Sequence, residues 1–251
     1  MTVSGYQTTQ QPIAIPGVND LVIRSLLDNQ QYYDPTGAAQ RLGISSAHWS
    51  LFGLLWPSGV QLATQLASRP VSLNERILEI GCGLGLASLV GQRRGAHITA
   101  SDRHPLTRTF LKKNAHLNGL PVLKYRHGQW GSVGPDPCEQ DTDAQLLSAR
   151  YDLIIGSDLL YERGMAQDVA SFINDHAFSA AEVWMMDPSR GYRPEFNRHM
   201  AAYGFQLQHD TQLHQTLTDG DGAEKDHQTR FQIFRRTDTG LATEAQRMLQ
   251  T

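Results

Sequence analysis

Three short clusters hold the residues with the most chemical content. In "LEIGCGLG" an acid, Glu79, stands two positions ahead of three alternating glycines, Gly81, Gly83 and Gly85, with Cys82 among them. Glycines that follow a short apolar run make a turn in which backbone can approach the phosphates or the ribose of a nucleotide. Asp102 lies 21 residues after Gly81, at the end of the next apolar run, where a carboxylate can accept both hydroxyls of a ribose. Further on, "GSDLLYE" contains Asp158 and Tyr161. An Asp-x-x-Tyr pair can clamp an amine: the carboxylate accepts from an N–H and orients it, and the aromatic face stabilises positive charge. The structural alternative is that Asp158 caps the next helix and Tyr161 belongs to the core.

The register of the glycines narrows the ligand. A dinucleotide turn needs a third small residue, three positions after its second glycine, to let helix and strand pack closely under a pyrophosphate. Here those positions are Leu86 and Ser88. Glu79 would repel a pyrophosphate and suits an ammonium. Arg103 hints at a 2′-phosphate, but Asp102 beside it opposes that charge. No Gly-Lys-Ser/Thr loop and no Tyr-x-x-x-Lys pair is present, which argues against phosphoryl and hydride transfer. The ten histidines include no His-Glu-x-x-His, and His209 and His214 read as surface residues, so no metal is expected.

These clusters need a scaffold, and from about Arg76 short apolar runs alternate with longer segments of helical spacing. That pattern predicts parallel strands joined by crossover helices. Strands are expected at Ile77–Ile80, His97–Ser101, Val122–Arg126, Tyr151–Gly156 and Glu182–Met186. Helices are expected over Pro57–Ser68, over Leu84–Arg94, closed by Gly95, and within "HPLTRTFLKKNAHLNG". Near the end "GFQLQH" and "TRFQIFRR" alternate with period two about a turn-rich "DGDGAEKDH", predicting a closing antiparallel hairpin and so a mixed sheet. Met1 to Ser50 shows no clear periodicity. The expected organisation is an N-terminal extension over 1–50, a main domain over 51–236 and a tail over 237–251.

"ILEIGCGLGLASL…ITASD" resembles the first two motifs of class I S-adenosylmethionine-dependent methyltransferases, whose methionine amine and ribose match Glu79 and Asp102. From Trp56 to Arg236 the chain is similar to the seven-β-strand protein lysine methyltransferases of methyltransferase-like family 16, with Asp158 and Tyr161 at that family's clamp. The resemblance implies a Rossmann-like, doubly wound α/β fold of seven strands with S-adenosyl-L-methionine as cofactor. It also implies that Trp56 in "LLWPSG", Trp130 in "GQWG" and Ser157 line the cofactor, although Gln129 precedes Trp130 where the family commonly has Asp. "MDPSRGY" is similar to the Asp-Pro-Gly-Arg of the branch that methylates the electron-transfer flavoprotein β-subunit, which would set Asp187 and Arg190 beside the substrate. A turn with a surface arginine is the alternative there.

Composition bounds the partners. The net charge of -3 gives no overall drive toward nucleic acid or anionic membrane. Arg93 to Arg126 holds eight Lys or Arg and one acid, Asp102, without the aromatic interleaving of a stacking groove, so a solvated face is expected. The clamp lacks the two prolines of the Asn/Asp-Pro-Pro-Tyr/Phe motif of DNA and RNA adenine methyltransferases. "MTVSGYQTTQQPIAIPG" has neither the basic start nor the apolar core of a secretory signal, so none is expected, and no run approaches the roughly 18 apolar residues of a spanning helix. Cys82 and Cys138 do not suggest a disulfide framework. The resemblance implies an N-methyltransferase acting on a protein lysine, with a small-molecule, histidine or glutamine nitrogen, or a non-catalytic cofactor-binding scaffold, as alternatives, and composition adds the expectation of a cytoplasmic monomer. Recognition of a whole protein would fall to Met1 to Ser50 and Gly131 to Arg150.

Overall fold

The computed structural model describes residues 5–131, 144–188, 190–218 and 224–237. Cys138, most of the expected recognition loop at 132–143, the turn at 219–223 and the tail from 238 lie outside the described residues. The central sheet has seven strands: β3 (Arg76–Ile80), β4 (His97–Asp102), β5 (Lys124–His127), β6 (Tyr151–Ser157), β7 (Ala177–Asp187), β8 (Gln206–Thr218) and β9 (Glu224–Arg236). Its order is β5-β4-β3-β6-β7-β9-β8, with the first five parallel and β9 and β8 antiparallel. The mixed sheet and closing hairpin match the sequence expectation. The order in which strands are added reverses at β3 and β6, with β4 and β5 to one side and β7 to the other, which opens a crevice at their carboxyl ends where ligands bind in such sheets.

The period-two alternation of the strands explains the layers. Ile77, Leu153, Ile155, Trp184 and Met186 face one core, while Leu78, Ile80, Ile154, Val183 and Met185 face the other. On the first face lie α2 (Pro57–Ser68), α3 (Leu86–Arg93) and α4 (Thr107–Leu117), and on the second α5 (Met165–His176) and α6 (Arg193–Ala202). Helix α2 buries Val60, Ala63, Leu66 and Ala67, the stripe its spacing predicts. The fifth strand starts two residues later than expected because Val122 is 68% exposed, and pairing begins at Thr99 opposite Lys124.

The segment ahead of α2 contains a feature its sequence does not signal. Strands β1 (Thr8–Ile13) and β2 (Leu21–Leu26) form a separate antiparallel hairpin, followed by a short helix α1 (Ala38–Arg41) and a 3-10 turn (Trp49–Gly53). A lone two-stranded hairpin is marginal in water. Here Ile13, Leu21, Ile23 and Leu26 join the first core, and two asparagines of α4 and its C-cap act as a third strand. Asn114 accepts from the Arg24 N–H at 2.8 Å and donates to its carbonyl at 3.3 Å; Asn118 does the same for Val22 at 2.9 and 2.8 Å. Among the described residues no helix is long and apolar enough to cross a membrane.

Replacing Asn114, whose side chain has no exposure, by Ala leaves both part-buried backbone groups of Arg24 without their partner. The expected cost is about 2 kcal/mol in urea unfolding, with faster amide hydrogen exchange in β1 and β2 than elsewhere. Unchanged stability and exchange would contradict the bridging role of this asparagine.

Candidate active site

A cavity of about 290 Å³ occupies the crevice at the carboxyl ends of β3, β4 and β6. Of the residues singled out in the sequence, Trp56, Glu79, Gly81, Cys82, Gly83, Asp102, Arg103, Trp130, Ser157, Asp158, Tyr161 and Arg190 line it. Gly85 and Asp187 do not: Gly85 is the left-handed N-cap of α3, and Asp187 ends β7 at 2% exposure.

The glycine turn is held from two sides. The Cys82 N–H donates to Ser101 of β4 at 3.0 Å, and the Gly83 N–H donates to the Asp102 carboxylate at 2.9 Å. Gly83 has a φ of 48°, and a Cβ there would lie 2.8 Å from the backbone carbonyl oxygen of Phe52. A side chain at this position therefore strikes protein backbone. At Gly81 the same test meets Leu159 and the Trp130 ring.

Two buried carboxyls form the cavity floor. Asp102 accepts from the His104 N–H at 2.8 Å as well as from Gly83, and burial raises its pKa against those two bonds. Glu79 accepts from both the backbone N–H and the hydroxyl of Ser88, at 2.7 and 2.5 Å. Burial still lifts its pKa to about 7, with the nearby Asp102 adding to the rise. Trp130 packs edge-on against Phe172, and its indole N–H has no acceptor among the described residues.

The mouth is built by the β6–α5 and β7–α6 loops and the start of α2. Asp158 directly follows β6 in the left-handed region at a φ of 60°, the one non-glycine residue there among those described, and its N–H donates to Met186 at 2.9 Å. Its carboxylate accepts from the Ser58 hydroxyl at 3.1 Å and pairs with Arg190. The Arg190 guanidinium also lies 5.9 Å from the Trp56 ring centroid, so it faces a carboxylate and an aromatic at once. Tyr161 interacts with Arg103 through its hydroxyl, and burial raises the phenol pKa.

Sequence reasoning missed the wall supplied by the N-terminal segment and by the residue two past Asp102. His48 and Phe52 both line the cavity, and Phe52 stacks on His104 at 3.7 Å and 10°. His104 Nδ1 is placed to accept from the Leu106 N–H at 3.2 Å, and burial holds the ring neutral by pulling its pKa well down. Adjacency to Asp102 in "SDRHP" is the one signal that could have found His104. Among the described residues no group of three or more His, Cys, Asp or Glu is placed to hold a metal.

A family model described as lysine methyltransferase matches residues 44–195. The chain belongs to this family. It is similar to the electron transfer flavoprotein beta subunit lysine methyltransferase of Danio rerio, 27% identical over 156 residues that cover 60% of this chain and 53% of that one. The calmodulin-lysine N-methyltransferase of Arabidopsis thaliana is 27% identical over 184 residues, 67% of this chain and 58% of its own. The histidine protein methyltransferase 1 homolog of Dictyostelium discoideum is 26% identical over 135 residues, covering 52% and 41%. The chain thus spans about half the length of the curated relatives it matches. Among solved structures, a 16S rRNA N2 G1207 methyltransferase of T. thermophilus in complex with AdoMet and guanosine superposes with a TM-score of 0.54 at 16% identity, covering 92% of this chain and 51% of that one. At that identity the likeness concerns the fold alone.

The elevated pKa of Glu79 gives a stability prediction. The folded value, about 7, exceeds the ordinary 4.5, so the folded state binds the proton more tightly than the unfolded chain does. Glu79 therefore disfavours folding progressively as pH rises from about 4.5 through about 7, by up to about 3 kcal/mol once ionised. Glu79→Gln is expected to remove this part of the pH dependence in ligand-free thermal unfolding.

Proposed function

We propose that this protein is an S-adenosylmethionine-dependent N-methyltransferase whose acceptor is a lysine side chain of a protein. The observation that carries the reading is the convergence on one cavity of Glu79, Asp102 and the Asp158–Tyr161 pair, in a chain of the lysine methyltransferase family. A cytoplasmic location belongs to the same reading and is supported by Cys82, a buried free thiol.

The residues fit the cofactor. Asp102 gives one lone pair on each oxygen to a backbone amide, and a second on each remains for the two ribose hydroxyls. Glu79, buried beside another acid, gains its natural counter-charge from the methionine ammonium. Trp56, Trp130 and Ser157 would wall the nucleoside, with Gly81, Cys82 and Gly83 along the methionine chain. When bound, the cofactor supplies an electrophilic methyl group on a sulfonium sulfur.

Asp158 and Tyr161 then do the work of alignment. A carboxylate that accepts from the acceptor's N–H sets the direction of the nitrogen lone pair, and the tyrosine ring closes the wall and excludes water. Asp158 is not cast as a base, because a carboxylate favours the ammonium form of lysine, whose ordinary pKa is about 10.4. The proton leaves to water.

Incubation of the protein with methyl-labelled cofactor and a cell lysate is expected to label a protein on lysine, located by mass spectrometry. Asp158→Ala should reduce the labelling about a hundredfold while still binding cofactor. Label on a histidine or only in the small-molecule fraction would replace lysine as the acceptor, and saturable binding with no label would leave a scaffold. In thermal shift, S-adenosylmethionine should stabilise the protein and NAD should not. The shift should be larger near pH 8 than near pH 6, because the ammonium needs ionised Glu79, and Glu79→Gln should remove the difference.

A further inference from the structure

We infer that Arg190 keeps the Asp158 clamp electrically neutral, so that an acceptor lysine sits in it as the free amine and not as the ammonium. The inference rests on the function proposed above.

The pair is built into the fold. Both Asp158 oxygens are engaged, Oδ2 by the Ser58 hydroxyl and Oδ1 by Arg190, and the Asp158 side chain is only 10% exposed. Ser58 and Trp56 belong to the same helix start, so the opening of α2 supplies a hydrogen bond to the carboxylate and an aromatic face to the guanidinium. Asp158 and Arg190 follow neighbouring parallel strands whose last paired residues are Ser157 and Met186. The sheet itself brings them together.

The electrostatic consequence follows from sign. A bare carboxylate against an amine favours its protonated form and opposes methyl transfer, which needs the nitrogen lone pair. With a guanidinium on that carboxylate the field felt by the amine nearly cancels, and the remaining lone pairs still accept a neutral N–H. The other charges at the mouth do not reverse this: Arg103, held at the Tyr161 hydroxyl, adds positive potential, and the Glu162 carboxylate, 42% exposed and so screened by solvent, is turned to His48 Nε2 at 3.0 Å. Deeper in, Glu79 and Asp102 are tied to Ser88 and to backbone amides. The lysine ammonium thus gives its proton to water first. Its lone pair forms the N–C bond as the C–S bond breaks, S-adenosylhomocysteine leaves, and the methylated nitrogen then sheds its second proton. Arg190 is a positioning residue that acts through Asp158.

The test uses the full chain and the acceptor protein identified by its labelled lysine. In the pH profile of kcat, Arg190→Ala should move the acid limb up by about one unit, which lowers kcat about tenfold on that limb, while KM for the acceptor falls because bare Asp158 attracts the ammonium. Arg190→Lys, which retains a cation, should keep the wild-type limb. Calorimetry of acceptor binding without cofactor, in two buffers of different ionisation enthalpy, should show more proton release for the wild type than for Arg190→Ala. An unmoved acid limb with equal proton release overturns the inference and leaves the proposed function standing. A higher kcat in Arg190→Ala also overturns it, by making Arg190 a plug. Absence of any labelled lysine overturns the proposed function, and this inference with it.

Discussion

A single buried carboxylate closes the ring of contacts on which the cavity depends. Asp102 accepts from the Gly83 amide on one oxygen and from the His104 amide on the other. Gly83 lies against the Phe52 carbonyl, and the Phe52 ring stacks on His104, so the path returns to the residue it left. The far side is anchored too, since the Asp102 carbonyl accepts from the Tyr125 hydroxyl at 2.9 Å and from the Gly128 amide at 3.2 Å. Burying this acid is costly, as its raised pKa records, and the two amide bonds offset part of that cost. The same bonds hold the glycine turn, the end of β4 and the N-terminal segment in one geometry.

That ring explains why the segment before α2 is part of the site. Trp49, Phe52 and Phe110 pack edge to face in the first core, so the hairpin, the 3-10 turn and α4 are coupled. The cavity wall made by His48 and Phe52 inherits its position from this packing. The segment ahead of α2 is bound to α4 by the side chains of Asn114 and Asn118 and by aromatic contacts.

What could be read from the sequence was whatever is encoded in short spacing. The glycine triplet with Glu79, and Asp102 at the following strand end, are local statements that need only a strand–turn–helix to become a floor. The strands β3, β4 and β6 were legible because each is a short apolar run, buried on both faces, set between segments of helical spacing. The β1–β2 hairpin was not, because "TTQQP" is polar and its partners Asn114 and Asn118 lie on a helix some ninety residues away. His104 looks like an ordinary loop residue until Phe52 is placed on it. The contact of Gly83 with the Phe52 carbonyl is likewise invisible in the motif, because Phe52 arrives from outside it.

The Asp158–Arg190 pair shows how the backbone decides chemistry that residue types leave open. An aspartate after a strand can cap a helix or face a ligand, and Asp158 has no side-chain bond to the N-cap region of α5, whose N-cap is Gly164. Its N–H extends the β6–β7 pairing by reaching Met186, and its left-handed φ then turns the side chain toward α2. Such a backbone conformation is disfavoured for a residue with a Cβ, and aspartate is among the few that tolerate it. The strain is sustained because Ser58 and Arg190 hold the carboxylate at the end of the turn, which makes the direction of the carboxylate a property of three elements and not of a flexible side chain.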